Sequence, residues 1–495
     1  MSPVWREFDA ALGVVAKLRA AGFEAYLAGG CVRDLLLGRM PTDYDVATSA
    51  TPDVVLGLFG RTFAVGAHFG VVLVAHGDGD SYFTTEVATF RSDGAYSDGR
   101  HPDAVRYTKS AEEDVRRRDF TINGLLLDAD KLERNSGIPS GAKAQASSAA
   151  LTGRLKPRPF KAPYLGQGFE DGVPRDAVID FVGGLADLEA GVIRAIGRAG
   201  ERFEEDRLRM LRAVRFAARL GFELEAGTAA AMRALAPRIA TVSRERVRDE
   251  LTRMLTEGHA RRAFELLDQT GLLVQVLPEI ARMKGVEQPP QYHPEGDVWV
   301  HTLGLLAQLE EGCSMTLAWG ALLHDVGKPA TFRRAPDRIR FDGHVDVGVA
   351  LAAEICRRFR FSNEESRQIL ALVENHMRFA DAERMKASTL KRFFRLDSFD
   401  EHLALHRMDC LAGSGNLDHW EFVHARRREL PEEIVRPTPL ITGRDLIAAG
   451  YLPGPAFKQI LRAVEDAQLE GTVATAEDAL RMAAKLGTGT QGLIG

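Results

Sequence analysis

The segment Leu27-Ala28-Gly29-Gly30-Cys31-Val32-Arg33-Asp34, followed closely by Pro41-Thr42-Asp43-Tyr44-Asp45-Val46, constrains this chain more than any other. The apolar run at 25–28 predicts a strand that stops at the glycine pair. Residues 32–37 then open a helix, and 44–47 form a second strand. Gly29 and Gly30 let a backbone approach a phosphate chain closely. Asp43 and Asp45, two apart on a strand, project to one face, where paired carboxylates share a divalent cation such as Mg²⁺. A glycine pair or an Asp-x-Asp alone says little. The ordered set of strand, glycine turn, helix and acidic strand outlines a site for a metal-bound nucleoside triphosphate.

The flanking sequence supplies the body of such a site. Phe8, Leu12, Val15 and Leu18 recur at helical spacing within 4–21 and predict a helix packed on the strand at 23–28. Thr51-Pro52-Asp53 starts another helix, and 65–74 reads as a buried strand after a glycine turn. The strand at 83–90 carries Glu86, which is either a third carboxylate beside Asp43 and Asp45 or an ion-pair partner. Residues 91–102 read as a polar, glycine-containing loop. In 116–124, Arg117 and Arg118 offer planar donors to phosphate oxygens, while Asp119 and Asn123 suit ribose hydroxyls.

Residues 129–177 change character, being rich in Gly, Ser, Ala, Lys and Pro, and read mostly as a flexible insertion. Residues 192–196 read as the last strand of the N-terminal region. The stretch 203–216 predicts one continuous helix on which Asp206 and Arg209 share a face, as do Arg212 and Arg215. Ser243 then heads a charged helix expected to brace the preceding one.

From about residue 290 a second set of chemically capable residues appears: His301, the pair His324-Asp325, His344, His376 and Asp409, spread over helical segments. Imidazole and carboxylate together suit a hydrolytic centre built on a divalent transition metal such as Ni²⁺, Mn²⁺, Fe²⁺ or Co²⁺. Composition narrows the partners. A formal charge of -5 excludes a globally basic nucleic-acid binder, so RNA contacts must come from local Arg and Lys patches. Four cysteines without a CxxC pair argue against a disulfide framework and a structural zinc site, and fit a reducing cytoplasm. No apolar run approaches the roughly 18 residues that a membrane span needs.

The motif GGCVRDLLLGRMPTDYDVATSATP resembles the first motif of the class II tRNA nucleotidyltransferase family, which includes CCA-adding enzymes and bacterial poly(A) polymerases. RRDFTING at 117–124 resembles a further family motif, with Gly124 where alanine is usual. IDFVGGLADL resembles the hinge motif, and EDRLR at 205–209 the family's EDxxR motif. The His/Asp set resembles the HD phosphohydrolase superfamily.

The resemblance implies an α+β nucleotidyltransferase head with a small mixed sheet, in 1–128 and 178–197. All-α regions follow: a neck and body to 289, an HD domain in 290–425 and a tail in 426–495. It implies tRNA, CTP and ATP as partners, and attack of an RNA 3′-hydroxyl on an α-phosphate. Gly29, Gly30 and Arg33 would cradle the triphosphate, Asp206 with Arg209 would read the base, and Arg212 and Arg215 would join Arg117, Arg118, Asp119 and Asn123 in the nucleotide-binding set. The 91–102 region corresponds to a flexible loop associated with adding the terminal A. Poly(A) polymerase, a partial CC- or A-adding enzyme, and an HD phosphohydrolase with a relict head stay open at this point. Against the first, Gly60-Arg61-Thr62-Phe63-Ala64-Val65 lacks the run of basic residues associated with that branch.

Overall fold

The computed structural model describes residues 3–64, 70–77, 82–93, 105–135, 173–291 and 293–490. The expected turn at His68, most of the 91–102 loop and the bulk of the 129–177 insertion lie outside these residues. The chain divides into two compact units. One comprises Met1–Met254 and Arg262–Val276, the other Leu255–Arg261 and Leu277–Gly495.

The first unit is built on a seven-stranded mixed sheet. Its strands are β1 (Ala25–Ala28), β2 (Asp45–Thr48), β3 (Thr62–Phe63), β4 (Val71–His76) and β5 (Phe83–Thr89). After the hairpin of β6 (Arg91–Asp93) and β7 (Val105–Tyr107) come β8 (Leu125–Leu127) and β9 (Val178–Asp180). The sheet order is β3-β4-β5-β2-β1-β8-β9, and every neighbouring pair is antiparallel except β2 with β5. Helix α1 (Pro3–Ala20) packs on β1, β2 and β5 and buries Phe8, Ala11, Val15 and Leu18. Leu18 and Leu27 are wholly buried, each side chain contributing roughly 1.5–3 kcal/mol. Ala28, Ala47, Phe90 and Leu126 form a cluster with Ala111 and Val115 of helix α3 (Ala111–Arg116), which follows α2 (Gly30–Leu36) in the helix order used here.

Side chains alternate along a strand, so Asp45 lies on the same face as Ala47 and therefore on the α3 side of the sheet. That parity is what positions the site.

Several local expectations change. Strand β2 begins at Asp45, so Asp43 lies two residues ahead of it, although the exposed, buried, half-buried alternation of Asp43, Tyr44 and Asp45 already follows the strand's period. Arg91–Asp93 is a strand, because Val105–Tyr107 returns to pair with it. Ala129–Asn135, placed in the insertion, forms helix α4, which follows directly from β8. The strand at Val192–Ile193 pairs in parallel with Glu223–Leu224 as a separate two-stranded sheet, not with the seven-stranded one. The helix expected over 203–216 is two helices, α5 (Ala199–Glu205) and α6 (Leu208–Leu220). The break falls at Asp206, which takes φ −140° and ψ 105° and accepts from the Leu208 amide at 3.1 Å. Its extended backbone ends the first helix, and its side chain binds the first amide of the second. Helix α7 (Arg244–Thr256) follows.

The second unit is helical but for a two-stranded hairpin at Arg333–Arg334 and Ile339–Arg340. Five of its helices matter for chemistry: α8 (Val298–Leu306), α9 (Met315–Leu323), α10 (His344–Arg358), α11 (Asn363–Asn375) and α12 (Phe399–Ala412). An aromatic core of Phe379, Phe393, Phe394 and Phe399 anchors α12. The C-terminal helices close over their own cluster of Ile441, Leu446, Ile460, Val464, Ala479 and Ala483. The architecture is thus the expected one, an α+β sheet region followed by mostly helical regions.

Candidate active site and metal centre

In the first unit the chemistry gathers at the end of β1. Gly29 has φ 75° and ψ −128°, a conformation that glycine adopts without strain, and its amide donates to the Leu125 carbonyl at 3.0 Å. A Cβ at Gly29 would lie 3.0 Å from an Arg118 Nη atom, so the guanidinium rests against the bare backbone of the turn. The parallel pairing of β2 with β5 sets Asp45 directly opposite Glu86. Burial pushes the Asp45 carboxyl up to about 7, and the neighbouring carboxylates of Glu86 and Asp43 add to the rise, against a smaller opposing effect of Arg118. Glu86 is raised as well, by burial and by Asp43. Two carboxyls raised in this way, with Asp43 beside them, fit a cation between them.

The arginines are held in place by a buried acid absent from the sequence-derived set. Asp114 accepts from Arg117 at 3.0 and 2.8 Å and from Arg118 at 3.0 Å. Burial disfavours its charge, but Arg118 and Arg117 more than offset this and hold its carboxyl below the ordinary range. Arg33 is 3 % exposed, lies between the Asp34 carboxylate (2.8 Å) and Asn123 Oδ1 (2.6 Å), and stacks over Phe216. Asn123 passes the network on to Asp119 at 3.1 Å, which accepts two bonds from Arg212 at 2.9 and 2.7 Å. A hydrogen-bonded chain therefore runs from the glycine turn to helix α6.

Asp206 and Arg209 do not share one helical face. Asp206 receives Arg246 of α7 at 2.9 Å, while Arg209 binds Glu205 at 2.6 Å and the Arg117 carbonyl at 3.1 Å. Arg215 is buried against Glu250 of α7 at 2.7 Å. Helix α7 thus braces α6 through the Arg215–Glu250 pair and the break ahead of it through Arg246 and Asp206, as its charged sequence suggests. Gly124 occupies a tight spot: a Cβ there would come within 2.8 Å of Val182 and 3.1 Å of Val115, so an alanine has no room beside this Val182.

In the second unit all six residues singled out by sequence converge. His301 lies on α8, His324 and Asp325 at the end of α9, His344 at the start of α10, His376 at the end of α11 and Asp409 on α12. His301 Nε2 is 2.9 Å from Asp409, and His324 Nε2 is 3.1 Å from Asp325. His324, His344 and His376 each direct Nδ1 to a main-chain carbonyl three residues earlier, at 2.9, 2.9 and 2.6 Å. That contact makes Nδ1 the protonated nitrogen and leaves Nε2 as a lone pair.

The Nε2 atoms of His344 and His376 then face each other at 3.4 Å, and both lie within 4 Å of Asp325 Oδ1. His324 Nε2 and Asp325 Oδ1 are buried without a hydrogen-bond partner. The facing lone pairs of His344 and His376 repel unless a cation lies between them; among the described residues three clusters could hold one, Asp325/His344/His376, His301/His324/Asp409 and His293/Glu295/His301, and the first two adjoin. Burial pushes the His376 imidazole down to about 4 and keeps it neutral, as a metal ligand must be. Burial also opposes the charge of His301, but Asp409 and Glu295 on its two nitrogens hold it up at about 9. Lys328 adds a cation 2.7 Å from Asp325, and it also donates to Gln288 Oε1 at 2.7 Å and lies over the Phe341 ring. Sequence reasoning missed Glu295, His293 and the role of Lys328; the His-Pro-Glu run just ahead of α8 was the available signal.

Acids on and just ahead of a mixed sheet beside a glycine turn, in a chain that also carries a helical His/Asp cluster, are the features of a nucleotidyltransferase of the poly(A) polymerase type. The family model described as the poly A polymerase head domain matches residues 25–136, the probable RNA- and SrmB-binding site of polymerase A matches 221–284, and the HD domain matches 298–409. The chain is 32% identical over 483 residues to the CCA-adding enzyme of Leuconostoc mesenteroides, covering 97% of this chain and 96% of that one. It is 40% identical over 265 residues to the CCA-adding enzyme of Geobacillus thermodenitrificans, a match that spans 54% of either chain. The crystal structure of the Bacillus stearothermophilus CCA-adding enzyme in complex with CTP superposes with a TM-score of 0.68 at 26% identity, covering 99% of this chain and 100% of that one. The chain belongs to the CCA-adding enzyme family. Heads and HD domains of these types generally use divalent metals. Among the described residues no helix is long and apolar enough to cross a membrane.

Proposed function

We propose that this chain adds C and A from CTP and ATP to the 3′ end of tRNA, by attack of the RNA 3′-hydroxyl on the α-phosphate with release of pyrophosphate. The observation that carries this reading is the register of β2 on β5, which sets Asp45 opposite Glu86 on the sheet face next to α3. Asp43, Asp45 and Glu86 would hold Mg²⁺, which supplies Lewis acidity at the attacking hydroxyl and the departing pyrophosphate. The remaining work falls to the chain's own groups. Gly29 and Gly30 admit the triphosphate close to the backbone, and Arg33, Arg117 and Arg118 donate to its oxygens. Asp119 and Asn123 take the ribose hydroxyls.

At the base, Asp206 accepts from the exocyclic amine of C or A, and Arg209 donates to the neighbouring ring acceptor, whereas U and G would turn a carbonyl toward the carboxylate. Arg212 and Arg215 secure this helix from behind through Asp119 and Glu250. The decisive experiment supplies purified protein with tRNA ending before CCA, and CTP and ATP separately and together. Two added residues with CTP and three with both nucleotides are expected. A long A ladder from ATP alone would establish a poly(A) polymerase instead, and a stop at two residues with both nucleotides a CC-adding enzyme.

A second activity is favoured by the facing lone pairs of His344 and His376 and the unpartnered His324 Nε2 and Asp325 Oδ1. With Ni²⁺, Mn²⁺, Fe²⁺ or Co²⁺ held there, the HD region hydrolyses a phosphoester, such as a 2′,3′-cyclic phosphate that blocks an RNA 3′ end. Attack of water that breaks the O3′–P bond would free the 3′-hydroxyl on which the first site acts and leave the phosphate as a monoester on the 2′ oxygen. The free thiols and the tRNA substrate agree with a cytoplasmic setting.

A further inference from the structure

The four imidazoles of the HD centre are not held alike. His324, His344 and His376 give their Nδ1 protons to neutral main-chain carbonyls. His301, wholly buried, gives its Nδ1 proton to the Glu295 carboxylate at 2.6 Å. The same Oε1 atom accepts from His293 Nδ1 at 2.9 Å, and the two rings meet edge to face at 4.8 Å. Glu295 Oε2 is buried without a partner, so the carboxylate's hydrogen bonding is spent on these two rings. An imidazole bonded to a carboxylate is a stronger donor at its far nitrogen than one bonded to a carbonyl, because negative charge is pushed through the ring. The far nitrogen of His301 is the one that faces Asp409.

We infer that Glu295 is a positioning residue of the HD centre: it holds the Nδ1 proton of His301 and strengthens Nε2 as a donor once a cation replaces the proton there, so that the His301/His324/Asp409 position fills before the Asp325/His344/His376 position. His293 holds Glu295 in that orientation by sharing its oxygen. The inference rests on the metal-centre reading above. Among the described residues Glu295 alone supplies a carboxylate to His301 Nδ1.

The test uses the full chain, stripped of metal and titrated with Co²⁺ against a competing chelator, with binding read from the visible absorption of the bound ion and from elemental analysis. The HD centre of the wild type should fill in two phases, told apart by its imidazole-ligated absorption from Co²⁺ held by the acids of the first unit. Glu295→Gln, which keeps shape but removes the charge, should weaken the tighter phase by ten- to a hundredfold and leave the weaker one in place. Glu295→Asp should recover part of the loss, and His293→Gln should cause a smaller one. CCA addition by the same preparations should not change, which also shows that each variant is folded. Unchanged Co²⁺ affinity in Glu295→Gln, or loss confined to the weaker phase, overturns the inference while the metal centre stands. A wild type that takes up no Co²⁺ overturns both.

Discussion

Replacing Asp45 by asparagine should stabilise the metal-free protein while abolishing nucleotide incorporation. Asparagine has the shape of the protonated acid and none of its charge. Burial, with the carboxylates of Glu86 and Asp43, lifts the Asp45 carboxyl from an ordinary 3.8 to about 7. At about 1.36 kcal/mol per pH unit, that rise amounts to on the order of 4 kcal/mol, an upper bound because Asp45 and Glu86 titrate together. The folded chain binds this proton more tightly than the unfolded one. Stability linked to it is therefore complete below about 3.8 and is lost as pH rises through about 7.

The assay is hydrogen exchange of the β2 and β5 amides in EDTA, comparing both proteins at the same pH. Near pH 4 their protection should match. Above pH 7 the variant should be more protected, by up to about a thousandfold. Mg²⁺ should then close the gap by raising protection of the wild type alone. Equal protection at pH 8 without metal would refute the argument that these carboxylates oppose one another in the free protein.

Asp206→Ala should relax base selection, because each hydrogen bond removed is worth on the order of 1–3 kcal/mol; relative incorporation of UTP and GTP measures this, and strict retention of C and A would reject the role. Asp325→Ala should abolish metal-stimulated phosphoester hydrolysis while CCA addition survives, which product analysis of both reactions in one preparation will show. Gly124→Ala should destabilise the first unit by about 1–3 kcal/mol, since its Cβ would come within 2.8 Å of Val182. The double variant with Val182→Ala should recover most of that loss in chemical denaturation.

The short-range chemistry of both sites was legible in the sequence. The strand, glycine turn and helix at 25–37 follow from local apolar pattern and from the freedom of glycine at Gly29. Each of the three histidines bonded to a carbonyl three residues earlier has its tautomer set within a single turn of chain. The convergence of His301, His324, Asp325, His344, His376 and Asp409 was legible only as a motif, since periodicity does not report which helices meet. What tertiary structure decided is where distant residues share one oxygen or one sheet register. The parallel pairing of β2 and β5 is what places Glu86 opposite Asp45. The helix break at Asp206 escaped prediction because helical propensity through 203–216 is strong, while the aspartate's cap on Leu208 and its ion pair with Arg246, 40 residues away, favour a kink. Glu295 and Asp114 were missed for the same reason: a carboxylate's role is defined by the groups it meets, and those are brought to it by packing. Sequence by itself therefore determined the local conformations and the chemical kinds of group present, because backbone preference and side-chain chemistry act over a few residues. Only the folded chain decided which groups confront one another, because those contacts depend on how separate helices and strands bury their apolar faces.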